Sequence, residues 1–397
     1  MEISRRGAQV PASPIRRLVP YAEAAKKGGA TVYHTNIGQP DLPTPDGFWA
    51  ALSVYPSRVL AYGHSAGSAE FREGLAGYYR RCGYDVAAED VTVTTGGSEA
   101  ILFAMLATCD PGDEVLVFEP FYTNYHSFAL SAGVFLVPVT CRAEDGYHLP
   151  PPQEIEVRVG PRTRAILACS PNNPTGTVLS RAEMESLAGL CRRRRLFFLS
   201  DEVYREFVYG EKHTGVLELG LGHQAVMLDS ISKRFSACGA RIGCAVTKNP
   251  ALQKAFLHLG QARLSPPTLE QAAALPLLEL GPDYYGRIQK EYRARRDVVV
   301  DALERIPGVV CRRPAGAFYV MARLPVANAE DFAIWLLQSF RLRGATVMVA
   351  PGDGFYATPG RGKDEIRIAY VLEKSALARA MECLAEGLAA YGGVPSR

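Results

Sequence analysis

Leu228-Asp229-Ser230-Ile231-Ser232-Lys233-Arg234-Phe235-Ser236-Ala237-Cys238-Gly239-Ala240-Arg241-Ile242-Gly243 is the stretch on which the rest of the chain is organised. The apolar run Ala225-Val226-Met227-Leu228 that leads into it has the length and composition of a buried strand. It runs out into two hydroxyls, one lysine, small residues and, eight places past the lysine, an arginine. A lysine at a strand exit is ordinarily a solvated loop residue. Fixed between Ser232 and a glycine-containing turn, however, it has the setting of an amine held at a site, because lysine is hard to bury and hard to place.

Outward from this stretch, residues 90–250 alternate apolar, β-rich runs with helical ones. The runs are Val91-Thr92-Val93-Thr94, Glu114-Val115-Leu116-Val117-Phe118, Ala165-Ile166-Leu167-Ala168, Leu196-Phe197-Phe198-Leu199, Ala225 to Leu228 and Ile242-Gly243-Cys244-Ala245-Val246. Near-continuous apolar strands separated by helices predict an α/β fold, with a mostly parallel sheet covered on both faces. Several runs end in polar groups: Gly96-Gly97-Ser98, Glu119, Ser170 and Asn173, Asp201, then Ser230 and Lys233. Ligands of open parallel sheets bind beyond the carboxyl ends of the strands, so topology would gather these residues. The expected organisation is an N-terminal arm at 1–45 that contributes to the smaller domain, a large domain at 46–285 and a smaller α+β domain at 286–397. The smaller domain is expected to hold a charged helix at 284–306, a strand at 313–320, a helix at 329–343, strands near Val347 and Ile368, and a closing helix at 374–391.

The bulk chemistry excludes several classes. At 397 residues the chain exceeds one ordinary core. Its 44 basic against 41 acidic residues give no reason to expect nucleic acid. The run Arg192-Arg193-Arg194-Arg195 fits the last turn of a helix. Nine cysteines, an odd number without Cys-x-x-Cys, point to a reducing compartment and away from a metal site. The first residues lack a signal-peptide core, and the uncharged span 120–141 is broken by Pro, Asn and Gly. A cytoplasmic protein with no membrane association is expected.

Ser-x-Ser-Lys followed by Gly-x-Arg-x-Gly resembles the cofactor-lysine segment of class I/II aminotransferases, the pyridoxal-phosphate enzymes of fold type I. Three further segments carry the same resemblance, in family order: Ser170-Pro171-Asn172-Asn173-Pro174-Thr175-Gly176, Ser200-Asp201-Glu202-Val203-Tyr204 and Glu365-Ile366-Arg367-Ile368-Ala369-Tyr370. The turn Asn36-Ile37-Gly38-Gln39-Pro40-Asp41 resembles the family's Gly-x-Pro-Asp turn, which implies that Gly38 lets the backbone approach the substrate. Tyr62, in Ala61-Tyr62-Gly63-His64, matches a tyrosine that reaches the neighbouring subunit's cofactor phosphate, which implies a homodimer with shared sites.

The resemblance implies that Lys233 carries pyridoxal 5'-phosphate and moves the proton at the substrate Cα. It also implies that Asp201 partners the ring nitrogen, that Tyr204 and Asn173 meet the ring's phenolic oxygen, and that Tyr122, with Phe121 as its rival, stacks on the ring. The chemistry of the residues agrees in part. Gly97 and Ser98 stand before the apolar helix 100–108, where bare N–H groups face an anion. Ser230, Ser232 and the forked guanidinium of Arg241 add phosphate donors, whereas Glu99 is assigned no role. Arg367, among apolar neighbours, suits a planar carboxylate clamp, and the resemblance implies that Gly38 and Asn173 also bind the substrate.

The motifs are similar to those of bacterial enzymes assigned as aspartate aminotransferases, which implies aspartate and 2-oxoglutarate as the first substrate pair. Some relatives carry a lysine near Ser98 for the side-chain carboxylate, and this chain does not. Arg263, Arg361 and Arg16 are the candidate replacements, unranked. The same residues would also serve a β-lyase, decarboxylase or cyclase, since they activate Cα without choosing the bond. A non-catalytic sensor is the rival from another class.

Overall fold

The computed structural model describes residues 1–210 and 212–392, so the last five residues of the region 286–397 lie outside it. Seven strands form one sheet in the order Val91–Thr95, Ile242–Val246, Ala225–Ser230, Phe197–Asp201, Thr163–Cys169, Glu114–Glu119, Phe135–Thr140. Neighbours are parallel except at Ile242–Val246, which runs antiparallel to the strands on both sides. Successive side chains of one strand enter different cores. Val115 and Val117 pack with Ala104 and Met105 on one face, while Leu116 and Phe118 pack with Leu187 on the other. Burial on both faces is why these strands read as unbroken apolar runs.

Phe135–Thr140 was not expected as a strand. It contains Pro138, which is tolerated because this strand is the sheet edge and needs fewer ladder donors. The helix expected at 100–108 starts earlier, at Gly96, so the two glycines are its first turn. Gly96 takes a φ of 74°. Gly243 on the adjacent strand approaches so closely that a Cβ there would lie 2.4 Å from the Gly96 carbonyl carbon. The arginine run ends helix Arg181–Arg194 as expected, with Arg193 and Arg194 each 3.1 Å from Glu156.

A second, antiparallel sheet has the order Ala350–Pro351, Glu365–Ala369, Tyr319–Arg323, Val310–Cys311. Helices Pro282–Leu303, Ala329–Gln338 and Lys374–Tyr391 pack with it around Val299, Val320, Phe332, Leu336 and Leu384. The N-terminal segment joins this core: Leu18 and Ala22 are buried in it, and Thr31–His34 pairs in parallel with Ala345–Met348. The helix expected at 329–343 stops at Gln338, because Arg341 donates to the carbonyls of Leu336 and Leu337 and the chain turns through left-handed Arg343 and Gly344. The strand expected at 313–320 begins only at Tyr319, after a turn in which Ala317 has a φ of 51°. Among the described residues, no helix is long and apolar enough to cross a membrane.

Candidate active site

The parallel strands of the large sheet release their chains at one edge: Thr95 into Gly96, Glu119 into Tyr122, Cys169 into Asn173, Asp201 into Tyr204 and Ser230 into Lys233. Because Ile242–Val246 is antiparallel, its beginning lies at that same edge and delivers Arg241 there. These side chains surround a cavity of about 370 Å³. Its wall contains Gly97, Ser98, Tyr122, Asn173, Asp201 and Tyr204. Ser230, Ser232, Lys233 and Arg241 line it as well, and Gly38 and Arg367 come from outside the large sheet. Tyr62 is not among the lining residues and is 80% exposed.

Lys233 sits on the one-turn helix Ile231–Arg234, whose first free N–H, that of Ser232, is capped by Ser230 Oγ at 3.1 Å. The Ser230 hydroxyl also lies 2.8 Å from the Ser232 hydroxyl and from the Ile242 carbonyl, which ties the turn to the next strand. Lys233 Nζ donates to the Gly38 carbonyl at 2.9 Å and lies 3.7 Å from Cys238 Sγ. Gly38 can be nothing larger: a Cβ there would be 1.8 Å from the Tyr319 hydroxyl.

Arg241, left-handed at φ 54°, donates to the Cys238 carbonyl at 3.1 Å and to that of Thr95 at 3.4 Å. Its guanidinium thus lies over the start of helix Gly96–Thr108, where a Cβ on Gly96 would come within 2.3 Å of it. Glu99 has a task that the sequence did not suggest. Its carboxylate accepts from the Thr95 N–H at 2.7 Å and pairs with Arg263 at 2.9 Å, bracing the first turn of that helix.

Asp201 is buried. Its carboxylate accepts from the Tyr125 hydroxyl at 2.6 Å and from the Val203 N–H at 3.3 Å, and no cation among the described residues pairs with it. Burial pushes its pKa up to about 6, and the two hydrogen bonds only partly oppose that rise. The Tyr204 hydroxyl lies 2.9 Å from that of Tyr319, and burial raises its pKa well above the ordinary value. Tyr122 accepts from Asn124 Nδ2 at 2.8 Å, and burial pushes it to about 12. Its rival Phe121 turns away from the cavity and stacks on Tyr125 in the core.

Arg367 is 1% exposed. Its guanidinium donates to Asn173 Oδ1 at 2.9 Å and to the Asn36 carbonyl at 2.5 Å, and it lies 4.6 Å from the Tyr319 ring and 5.0 Å from that of Phe355. Its Nε has no partner among the described residues, and burial lowers its pKa. Of the three unranked arginines, Arg16 lines the cavity, Arg263 is paired with Glu99, and Arg361 lines a separate surface cleft with Arg142 and Arg158.

Sequence reasoning missed Tyr125, Tyr319 and Asn36. Tyr125 and Tyr319 look like core residues of a helix and a strand, and Asn36 stood inside a quoted motif whose glycine took the attention. Among the described residues, no group of three or more His, Cys, Asp and Glu is placed to hold a metal.

Comparison with known proteins bears on the same site. The sequence model of the family described as Aminotransferase class I and II matches residues 36–384. The chain is 32% identical over 369 residues to the aspartate/prephenate aminotransferase of Thermus thermophilus, covering 91% of this chain and 92% of that one. It is 30% identical over 394 residues to the aspartate aminotransferase of Pyrococcus horikoshii, covering 97% of each. Among solved structures, the alanine aminotransferase from Pyrococcus furiosus matches with a TM-score of 0.90 at 28% identity, covering 98% of this chain and 100% of that one.

Proposed function

The chain belongs to the class I and II aminotransferase family, and on that premise we propose that its cavity holds pyridoxal 5'-phosphate and passes the amino group of aspartate to a 2-oxo acid such as 2-oxoglutarate. The observation that carries the proposal is Asp201, a buried acid on the cavity wall with two neutral donors and no cation among the described residues. A buried carboxylate is ordinarily paired. A protonated ring nitrogen completes the set.

The residues present fit the group. The N–H groups of Gly97 and Ser98, the hydroxyls of Ser230 and Ser232 and the guanidinium of Arg241 would hold the phosphate at a helix N-terminus. Asn173 uses its oxygen on Arg367, which leaves its Nδ2 donor, with the Tyr204 hydroxyl, for the phenolic oxygen. Tyr122 would stack on the ring. Bound there, pyridoxal phosphate supplies an electron sink for the pair left when a bond at the substrate Cα breaks.

Asp201 would favour a proton on the ring nitrogen through its carboxylate. Arg367, buried and rigidly held, binds the substrate α-carboxylate through the side that carries its unpartnered Nε. Lys233 Nζ, tethered on a one-turn helix, would take the proton from the substrate Cα and hold it at the amine. Gly38 brings a backbone carbonyl against the amine and holds it in place between these steps.

Tyr62, exposed with its neighbours Val59 and Leu60, would reach the phosphate of a second subunit, which makes the working unit a homodimer. All nine cysteines are unpaired, in keeping with a cytoplasmic setting. Division into a large domain at 46–285 and a small one at 286–397 joined by the segment 1–45 is part of the same proposal.

The test is a spectroscopic half-reaction. Purified protein loaded with pyridoxal phosphate should show a visible band that aspartate bleaches and 2-oxoglutarate restores. Lys233→Ala should lose that band and at least about 10⁴-fold in turnover. A Lys233→Ala protein that turns over normally would overturn the assignment.

A further inference from the structure

Five charged side chains line the cavity: Arg16, Asp201, Lys233, Arg241 and Arg367. Four have a place in the site proposed above: Asp201 at the ring nitrogen, Lys233 at Cα, Arg241 at the phosphate and Arg367 at the α-carboxylate. Arg16 is left over. Its guanidinium makes no hydrogen bond or ion pair with any described residue, although the backbone on either side of it is anchored.

The next residue, Arg17, is paired with Glu330 and with Asp353, each at 2.7 Å. Pro14 sits against Gly354, where a Cβ would come within 2.4 Å of it, and Leu18 is buried in the core. The Ile15 carbonyl accepts from Asn36 Nδ2 at 2.9 Å. The same Asn36 offers its own carbonyl to Arg367. One residue therefore ties the backbone that carries Arg16 to the guanidinium of Arg367, and both arginines face one cavity. An unpaired guanidinium that faces a cavity from an anchored backbone is a fork for a carboxylate.

Resting on the cofactor site proposed above, we propose that Arg16 is the specificity-determining residue of this enzyme and binds the side-chain carboxylate of a dicarboxylic amino acid while Arg367 binds the α-carboxylate. The arm supplies this cation within the same chain. Within the chain the other two arginines considered for the task are placed elsewhere: Arg263 is held by Glu99, and Arg361 lies in another cleft. Ser98, at the start of helix Gly96–Thr108, offers a hydroxyl but no charge. Similarity in fold does not make this choice, since the chain matches an aspartate and an alanine aminotransferase equally well, with TM-scores of 0.89 and 0.90. Because Arg16 is also open to solvent, its pull is screened and the effect is moderate rather than absolute.

The experiment measures half-reaction rates of the holoenzyme with the near-isosteric pairs aspartate and asparagine, glutamate and glutamine. The unaltered enzyme should prefer at least one acid over its amide by about tenfold or more. Arg16→Ala should reduce that preference about tenfold or more, and Arg16→Lys should retain part of it, because a point charge replaces the fork. The ratio within a pair is insensitive to general damage to the fold, so even an unstable variant discriminates between the outcomes. No preference for either acid in the unaltered enzyme, or an undiminished preference in Arg16→Ala, overturns this role while leaving the aminotransferase in place. A cofactor band that no amino acid bleaches overturns the aminotransferase itself.

Discussion

Asp201 and Glu202 are adjacent and both buried, yet their carboxyls are driven in opposite directions. Asp201 faces the cavity, meets only a tyrosine and a backbone N–H, and is raised to about 6 by burial. Glu202 faces the core behind the sheet. Burial would raise it too, but His213 at 2.9 Å, Arg205 at 3.8 Å and the Val216 N–H at 2.8 Å hold it below the ordinary carboxylate value. The lysine turn repeats the contrast one strand away. Lys233 points to the cavity, whereas Arg234 turns inward to Asp229 and lies 4.6 Å from the ring of Tyr78, with Tyr79 also donating to Asp229 at 2.7 Å. Asp201 and Glu202 leave the end of a strand on opposite sides, and on the one-turn helix Lys233 and Arg234 diverge by roughly 100°. On the rear side charge is neutralised within the chain; on the front it is left for a ligand.

Exchanging each acid for its amide sharpens that division. Asp201→Asn should reduce kcat/KM by at least about a hundredfold, the scale of losing a placed acid–base partner. Glu202→Gln leaves Arg205 buried without its counter-charge. It should therefore cost about 3–5 kcal/mol of unfolding free energy, with kcat per folded molecule changed far less. Urea unfolding and steady-state rates on the two variants suffice. Equal losses of activity in both would erase the distinction between front and rear.

A second measurement tests the front alone, without cofactor. The folded-state pKa of Asp201, about 6, stands above its ordinary value of 3.8, so folding favours its protonated form. Its contribution to stability is full below about pH 4 and is lost as pH rises through 6. At pH 7.5 burying the charge costs the cofactor-free protein about 3 kcal/mol, at roughly 1.4 kcal/mol per pKa unit. Asp201→Asn should remove that loss, flattening the stability of the cofactor-free protein between pH 4.5 and 7.5 by about 2 kcal/mol, the first part of the loss having fallen below pH 4.5. A slope identical to that of the unaltered protein would mean that the carboxyl is compensated in a way its two visible partners do not explain.

How much of this could be read beforehand depended on whether local pattern or strand direction decided it. Asp201, Asn173 and Lys233 stand where apolar runs stop, and parallel strands must stop at one edge, so their meeting was legible. Arg241 was legible only through resemblance. It arrives because Ile242–Val246 is antiparallel, and the apolar text of a strand is the same in either direction. The edge strand Phe135–Thr140 was missed because half-burial and Pro138 dilute its pattern. Tyr125 was invisible for a different reason. A tyrosine in an apolar helix says nothing about which strand end lies across from it, and only the packed sheet brings its hydroxyl to Asp201.

The smallest expected effect belongs to Tyr319, which lies on the front side but makes only internal contacts. Its hydroxyl meets Tyr204 at 2.9 Å and the Gly38 carbonyl at 3.5 Å, and its ring lies under Arg367. Tyr319→Phe keeps the ring, and so keeps Arg367 in place, but removes one neutral hydrogen bond worth about 0.5–1.5 kcal/mol. That converts to a loss of roughly two- to tenfold in kcat/KM, with KM for the α-carboxylate little changed. If ligand-facing groups carry the chemistry and internally paired ones carry the frame, a larger number is not available to this residue. A hundredfold loss would move Tyr319 into the first group, with its hydroxyl acting on the substrate and not merely on Tyr204, and the line between the two sides would have to be drawn through the tyrosine pair itself.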